Sequence, residues 1–370
     1  MNRRYLAPLV LIVVVCATAP VMGRLRDFLF GTFAGRAVAV LSAALALIGV
    51  VLLAVAVFRI RENRWLRYGG LVAVVALVWL QTWGFSSHLA TVNVAERIHL
   101  LEYGALAWLV YRALLAERER PGLDLLLIPI AWTAIAGTLD EGVQWFVETR
   151  TGEVRDVAIN VAAGVTGVLF ALCIEPPKSF VWRLEQPRIL GRAFAWAVFA
   201  LGAFVYLVHL GYWIDDPEIG RFRSWHSPDE LRWAASERQH RWSVDPPGDI
   251  SPWNREDRYL TEAGWHNLHR NSSFEHELYG LANQANRILE KYYAPYLDLE
   301  EFRQTGDRRF PPHALAKLEE APPVKPENYI SPVLEKRIFT RPSKPQFLAL
   351  WFPLTTLLFW LSRPRRAADS

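Results

Sequence analysis

The sequence predicts an all-α protein, a polytopic helical membrane bundle that carries an extramembrane, mainly helical insertion. Hydrophobic residues make up 52% of the 370 residues and charged residues 21%, against roughly 25% charged residues in typical soluble domains. In residues 1–214 the apolar residues form runs long enough to cross a hydrocarbon core about 30 Å thick as helices. Residues 215–344 are instead polar, aromatic and rich in proline, which predicts a separate domain.

Eight apolar runs are candidate membrane spans by their length and composition. The first run also has features of a signal peptide, but Pro20 directly follows its small residues and opposes cleavage, so a retained span is expected. In chain order the eight spans are residues 6–22, 37–58, 68–85, 98–115, 123–147, 157–174, 194–214 and 347–361.

Basic residues in the short loops predict the orientation. With eight spans, five basic clusters fall on one side of the membrane, and the positive-inside rule assigns that side to the cytoplasm. Both termini are then expected in the cytoplasm and residues 215–344 outside it, in a cell (inner or cytoplasmic) membrane. The loop with Arg24, Arg26 and Arg36 departs from this pattern. The five clusters are Arg3 and Arg4; Arg59, Arg61, Arg64 and Arg67; Arg118 and Arg120; Lys178, Arg183, Arg188 and Arg192; and Arg363, Arg365 and Arg366.

The composition gives no support to nucleic-acid, nucleotide or redox functions. The net charge of +4 is small, and the arginines border apolar runs, where they meet anionic lipid headgroups. Cys16 and Cys173 both lie within apolar runs and form no CxxC motif. The sequence has no P-loop, GxSxG or Rossmann motif. We therefore expect no cofactor, no metal and no nucleic acid, and membrane lipids as partners.

The fourth and fifth spans carry polar side chains at the ends that face outward in this topology. His99 and Tyr103 lie four residues apart, and Glu141 and Gln144 lie three apart, so each pair shares one helix face. An ionisable group in the hydrocarbon costs about 2.5–3.5 kcal/mol on insertion scales, and it normally faces a partner or a water-filled cavity. Glu141 lies about 9 Å inside the outer end of its span, so it needs such a partner.

The sixth span begins with a polar stripe that continues into small residues. Its members, at spacings of four, four and three, are Asp156, Asn160, Gly164 and Gly167. The two glycines permit the close approach of a neighbouring helix. The fifth and sixth spans form a hairpin, so their outward ends must adjoin. Arg150 and Arg155 are the cations nearest to Glu141 in sequence, and His99 is the nearest titratable donor on another span.

These residues together resemble the pattern of the VanZ-like family, which is named after a teicoplanin-resistance accessory protein. The family pattern has a His and an aromatic residue four apart, then Glu-x-x-Gln, then an Arg six residues before Asp-x-x-x-Asn-x-x-x-Gly. Where the family has Asp-Lys-x-x-His, the chain has Glu96-Arg97-Ile98-His99, with the acid–base pair shifted by one residue. The resemblance implies a cell-envelope membrane protein, connected with antibiotic resistance, that has an outward site. The expected ligand-binding residues are His99, Tyr103, Glu141, Gln144, Arg150, Asp156 and Asn160, and Gly164 completes the matched pattern.

The resemblance and the spans divide the chain into five regions. In order these are N-terminal transmembrane helices (1–96), the VanZ-like transmembrane core (97–174), a seventh transmembrane region (175–214), an extracytoplasmic domain (215–344), and a C-terminal transmembrane helix with a basic tail (345–370).

Three functions stay open at this point, and whether the protein is an enzyme is one of the open questions. The favoured function is binding of an amphipathic envelope lipid, glycan precursor or glycopeptide-like ligand, with Arg150 and Arg155 meeting anionic groups. An integral-membrane enzyme acting on a lipid-linked substrate would use His99, Glu141 and Asp156 as its acid/base group. A structural or partner-docking protein would depend on residues 215–344. For the polar residues themselves, a lock that holds the hairpin and a proton or ion path are alternatives to a ligand pocket.

The segment after the seventh span has one clear helical pattern. Apolar residues at helical spacing predict one helix over residues 273–293, started by Ser272 or Ser273 and ended by Pro295. His266 and His269 have His-x-x-His spacing, but without an HExxH motif we expect packing histidines rather than a metal site. Tryptophans in this segment are expected at the membrane surface; they are Trp225, Trp233, Trp242, Trp253 and Trp265.

Overall fold

The computed structural model describes residues 3–85, 90–147, 150, 152–248, 250–251, 254, 256–299, 308–322 and 324–363. Long helices dominate this described part of the chain, beside a two-stranded sheet, so the all-α class is confirmed. The chain forms two compact units. We call Met1–Phe204 with Ala349–Ser370 the membrane unit, and Val205–Leu348 the insertion unit.

Six long helices build the first part of the membrane unit. They are α1 (Leu6–Arg59), α2 (Arg64–Gly84), α3 (Ala90–Leu115), α4 (Asp124–Trp145), α5 (Val154–Ile174) and α6 (Pro187–Phe204). Helix α3 is central, because it packs against α1, α4 and α5. Short connections from α2 onward make successive helices antiparallel, so the helix ends collect at two levels.

One of these levels holds the basic loops, and we call it the basic end. Arg118, just after α3, forms an ion pair with Asp124 at the start of α4. Arg67, near the start of α2, donates a hydrogen bond of 2.6 Å to the last carbonyl of α5. Tyr111, near the end of α3, donates one of 2.7 Å to the carbonyl of Glu175. The starts of α2 and α4 therefore meet the ends of α3 and α5, as the basic clusters predict.

Helix α1 contains both of the first two expected spans and returns to the end from which it started. A straight helix of 54 residues would be about 81 Å long. Arg4, just before α1, donates to the carbonyl of Ala116 at the basic end. Ile60, just after α1, packs with Leu71 and Cys173 at the same end. The chain therefore reverses direction within α1, as expected for two spans, although its described backbone is helical throughout.

Glycines bring α5 into backbone contact with its neighbours. A Cβ added to Gly167 would lie 2.3 Å from the carbonyl oxygen of Gly104 in α3. A Cβ added to Gly164 would lie 2.3 Å from Oγ1 of Thr133 in α4. Real Cβ atoms do not approach so closely, so α3, α4 and α5 can pack at this distance only because both positions are glycine. The close approach predicted for these glycines is confirmed.

The insertion unit combines a small sheet with helices. A π-helical turn over Val205–His209 leads into an antiparallel hairpin, in which Tyr212 pairs with Ser224. Ser227 then caps the next helix in a capping box with Glu230. The elements are β1 (Tyr212–Asp216), β2 (Gly220–Ser224), α7 (Pro228–Val244), α8 (Arg258–Glu275), α9 (Tyr279–Tyr292), α10 (Ala294–Leu297) and α11 (Pro312–Glu320). The expected mainly helical insertion is therefore present.

Two expectations for this unit were wrong. The single helix over residues 273–293 is two helices, because α8 ends at Glu275 and α9 begins at Tyr279. Glu277 between them has a left-handed φ of 61°, which breaks the helix and lets α8 and α9 pack on each other as a hairpin.

The tryptophans of the insertion unit also differ from the expectation. Trp225 and Trp242 are 2% and 7% exposed, so they are core residues rather than surface anchors. Trp233 is exposed, and Trp253 lies outside the described residues. Burial of the indoles fits a domain whose core also contains Tyr259 and Tyr293.

Seven segments of the described helices are long and apolar enough to span a membrane, one fewer than the eight expected. They are Arg3–Leu25, Arg36–Arg59, Arg64–Gly84, Glu96–Leu115, Asp124–Trp145, Val154–Ile174 and Pro187–His209. The expected eighth span lies in a helix, α12 (Lys344–Leu361), but the polar residues at its start lower its mean hydropathy. Trp351 of α12 donates a hydrogen bond of 3.0 Å to the carbonyl of Val198, and Ser362 lies beside Gly191. Helix α12 therefore runs antiparallel along α6 to the basic end.

Candidate functional site

Polar side chains from several helices meet at the level opposite the basic end, which we call the polar end. It comprises the end of α2, the first turns of the spanning part of α3, the end of α4 and the start of α5. Arg155 of α5 forms an ion pair with Glu96 of α3 and donates to the carbonyl of Phe85, just after α2. The antiparallel order of the helices thus brings together residues that lie up to 70 positions apart in the chain.

Hydrogen bonds link five side chains at this end into one chain, which we call the polar cluster. Tyr103 Oη donates to Asp140 Oδ2 at 3.0 Å. Gln144 Nε2 donates to the same oxygen at 2.9 Å and to Glu141 Oε1 at 3.1 Å. Arg150 Nε in turn donates to Gln144 Oε1 at 3.0 Å. Both acids therefore connect to the guanidinium through the amide of Gln144.

The connection between α4 and α5 closes over Glu141. The backbone N–H of Glu153 donates to Glu141 Oε2 at 2.9 Å. A Cβ added to Gly152 would lie 2.2 Å from the backbone oxygen of Glu141, so only glycine allows this contact. Of the connection, Glu148, Thr149 and Thr151 lie outside the described residues.

The carboxylates of this cluster are buried, which makes their hydrogen bonds important for stability. Glu141 is fully buried, and Asp140 and Gln144 are each 2% exposed. A buried carboxylate is tolerated only when its oxygens accept hydrogen bonds or meet an opposite charge. Here two neighbouring carboxylates share one amide donor. Acidic and accepting groups therefore exceed cationic ones at the polar end.

Arg155 pairs with a different acid from the one expected. It was a candidate partner of Glu141, but it pairs with Glu96. The reason is position, because Glu96 on α3 lies across from the first turn of α5. The distance from Arg155 Nη1 to Asp156 Oδ1 is 3.8 Å. Arg150, for its part, contacts Gln144.

His99 lies beside the cluster and contacts its own helix. Its ring centroid is 6.0 Å from that of Tyr103, which confirms that the two residues share a helix face. Its Nδ1 lies 3.6 Å from Glu102 Oε2. Within the described residues, no hydrogen bond or ion pair joins His99 to Glu141 or Asp156.

Asn160 lies one helix turn deeper and packs against α4. It is fully buried, and a Cβ added to Gly137 would lie 2.8 Å from its Nδ2. Neither its Nδ2 nor its Oδ1 has a hydrogen-bond partner among the described residues, and the same holds for Asp140 Oδ1 and Asp156 Oδ1. Such buried polar atoms are rare in folded proteins and mark positions where a further donor or acceptor belongs.

Of the seven expected site residues, Glu141, Gln144 and Arg150 are joined directly, and Tyr103 is joined to them through Asp140. His99, Asp156 and Asn160 lie at the same end without a direct hydrogen bond to the other four. Asp140, which is not among the seven, is a buried member of the polar cluster. Its position four residues before Gln144 was the available signal.

Neither a metal nor a known relative extends this description. No group of three or more His, Cys, Asp or Glu side chains in the described part of the chain is arranged to hold a metal ion. No protein-family model matches the chain, and no curated protein and no solved structure shows significant similarity to it.

Proposed function

We propose that the chain is a VanZ-like membrane protein of the cell envelope that binds the polar part of an amphipathic envelope molecule at its polar end. The observation that carries the proposal is the polar cluster, together with the Oδ1 atoms of Asp140 and Asp156 and the side-chain amide of Asn160, which have no hydrogen bond among the described residues. The order and spacing of the cluster residues, which resemble the family pattern, support the assignment to this family.

The charge balance favours a ligand with hydrogen-bond donors. Arg155 is paired with Glu96, and Arg150 bonds to Gln144, so both cations already have partners. Three of the four buried side-chain atoms of Asp140, Asp156 and Asn160 that have no hydrogen bond among the described residues are oxygens, which accept hydrogen bonds. Hydroxyl, amide and ammonium groups supply the matching donors. A glycan precursor or a glycopeptide-like molecule therefore fits better than a purely anionic ligand.

The orientation is proposed from the two ends of the membrane unit. Arginine-rich connections collect at the basic end, together with Arg4 near the start of the chain and Ser362 near its end. The positive-inside rule favours the cytoplasm for this end of a cell membrane. The polar end, and the insertion that follows α6, would then face outward.

The enzymatic alternative has weaker geometric support. It needs His99 within reach of Glu141 or Asp156, whereas the acid nearest to its ring nitrogen in the described structure is Glu102. A general acid or base acts through a hydrogen bond of about 2.6–3.2 Å or through one water. No observation specifically favours the partner-docking alternative either, so ligand binding is the function we propose.

Binding measurements on the full-length protein in detergent test this proposal. The probes are teicoplanin and a lipid-linked disaccharide-peptide precursor of the cell wall, measured by calorimetry. We expect wild type to bind at least one of them, and Asp140→Asn to weaken that binding about tenfold through loss of a charged acceptor.

Thr138→Val is the matched control, because Thr138 is equally buried on α4 but bonds only within its own helix. Its affinity should equal that of wild type. The proposal fails if wild type binds neither probe, or if Asp140→Asn lowers the melting temperature while leaving the affinity unchanged, since that is the behaviour of a structural lock.

A further inference from the structure

A large cavity lies within the membrane unit, between the second half of α1 and the helices α2, α3 and α5. Its volume is about 630 Å³, within the range of about 300–1,000 Å³ typical of ligand sites. The wall is apolar over most of its area, with side chains such as Leu53, Val74, Leu101, Trp108 and Phe170. Apart from four polar side chains, every lining residue is apolar or glycine.

Two of the four polar side chains mark one end of the cavity. Thr82 and Arg97, with Leu100, line both the cavity and a small recess that adjoins it. The recess is also lined by Gln81 and Glu96. Arg97 is the second residue of the spanning segment of α3, at the level where headgroups begin. The combined space is therefore long and apolar, with a cation at one mouth.

The cavity is partly open, so a component of matching polarity can enter it from the surroundings. Apolar space does not hold ordered water. The lining helices α1, α2, α3 and α5 all include segments apolar enough to span a membrane, so hydrocarbon chains surround the opening. A lipid chain is the one abundant component that matches both the wall and the location.

Arg97 determines which lipid. Its side chain is exposed, and no ion pair to it is found in the described part of the chain, since its neighbour Glu96 pairs with Arg155. A guanidinium near the headgroup level attracts phosphate. We propose that the cavity binds one chain of a phosphate-bearing anionic lipid, and that Arg97 binds the phosphate of the headgroup.

The headgroup contact must supply the selectivity. Lipid chains are as apolar as the leucines of the wall, so exchange of one bilayer chain for another changes the free energy little. A single arginine near the headgroups contributes an attraction equivalent to about a fivefold preference for anionic lipid. The cavity shares no residue with the polar cluster, so this proposal and the proposed function can fail independently.

Native mass spectrometry of the full-length protein tests the proposal, with dioleoyl phosphatidylglycerol and dioleoyl phosphatidylcholine as probes. Wild type should retain one phosphatidylglycerol about fivefold more strongly than phosphatidylcholine, and millimolar inorganic phosphate should not displace it. Arg97→Gln should abolish the preference. Arg64→Gln, which removes the same charge from an exposed position outside the cavity, should keep it.

A second pair of variants tests the chain site. A Cβ added at Gly49 or at Gly69 would meet no atom within 4 Å. Gly49 lines the cavity, and Gly69 does not. Gly49→Phe should fill the cavity and reduce retention of both lipids, while Gly69→Phe should not. Ala46→Phe, also in the wall, replaces Gly49→Phe if that variant does not fold. The proposal would be overturned if wild type retained both lipids equally or if phosphate displaced the bound lipid. It would also be overturned if Arg97→Gln kept the preference for phosphatidylglycerol, or if the filled variant retained both lipids as wild type does.

Discussion

At the scale of the residue, Gln144 explains how two buried acids coexist in the polar cluster. An amide both donates and accepts, so its nitrogen can serve Asp140 and Glu141 while its oxygen accepts from Arg150. A direct ion pair would place the guanidinium on one acid only, and the other acid would keep only its second donor, Tyr103 for Asp140 or the Glu153 N–H for Glu141. The amide instead connects one guanidinium to two carboxylates by hydrogen bonds. One oxygen of Asp140, Oδ1, has no hydrogen bond in the described structure.

His266 in the insertion unit predicts a pH dependence of stability. It is fully buried, its ring packs on Phe222 and Tyr293, and neither nitrogen has a hydrogen bond among the described residues. Burial, with a smaller effect from His269, lowers the pKa of His266 to about 3. Below pH 6.5 the unfolded chain therefore takes up a proton that the folded protein excludes. Stability is complete above pH 6.5 and falls as the pH falls towards 3.

Denaturant unfolding of the full-length protein in detergent at pH 7 and pH 4.5 measures this effect. Between pH 7 and pH 4.5 the protonation of His266 should lower the free energy of unfolding of wild type by roughly 2–3 kcal/mol. In His266→Phe the decrease should be smaller by this amount. His313→Phe, at an exposed position of α11, is the control and should follow wild type. Equal losses in wild type and His266→Phe would show that His266 does not carry the effect.

At the scale of the element, the contact between α3 and α5 depends on glycine. Gly167 faces the backbone of Gly104, and a methyl group there can be accommodated only if the two helices separate. This contact also fixes the distance between the first turns of α5 and α3. The ion pair between Arg155 and Glu96 therefore depends on a residue three helical turns away.

Gly167→Ala is expected to destabilise the protein by about 1–3 kcal/mol, because overpacking between backbones has no flexible side chain to absorb it. Gly142→Ala is the matched control on α4, since a Cβ there meets no atom within 4 Å. It should be neutral or stabilise the helix by up to about 1 kcal/mol. Thermal unfolding in detergent compares the two, and an equal effect would contradict a backbone contact at Gly167.

The interruption between α8 and α9 is also determined at the scale of the element. The apolar periodicity continues through residues 273–293, and α9 is amphipathic as predicted. Nothing in local propensity marks Glu277 as a break, because glutamate is a good helix former. The left-handed turn forms because a hairpin of two helices buries apolar faces on both, which a single straight helix does not.

At the scale of the whole molecule, the charges of the membrane unit separate into two levels. The arginine clusters of the short loops lie at the basic end, and the polar end holds buried carboxylates and an amide beside Arg150 and Arg155. This polarity follows from the antiparallel order of the helices together with the positions of the loops. It is also the basis for the proposed orientation.

Cysteine labelling in intact cells tests that orientation. In a protein lacking Cys16 and Cys173, single cysteines replace Gln239 of the insertion unit and Arg120 at the basic end, both of which are exposed. A membrane-impermeant maleimide should label Gln239→Cys in intact cells, and Arg120→Cys only after lysis. The reverse pattern would place the polar end in the cytoplasm and exclude an outward ligand.

The sequence by itself determined the helical membrane class, the insertion, the basic end and most of the polar end. Span length, loop charge and residues three or four apart are local properties, and the short connections leave antiparallel packing as the available arrangement. Tertiary structure alone decided the partners. Pairing of Arg155 with Glu96, the membership of Asp140 in the polar cluster and the cavity beside Arg97 depend on which helices become neighbours. Spacing along one helix carries no information about the facing helix, and for that physical reason these contacts could not be predicted.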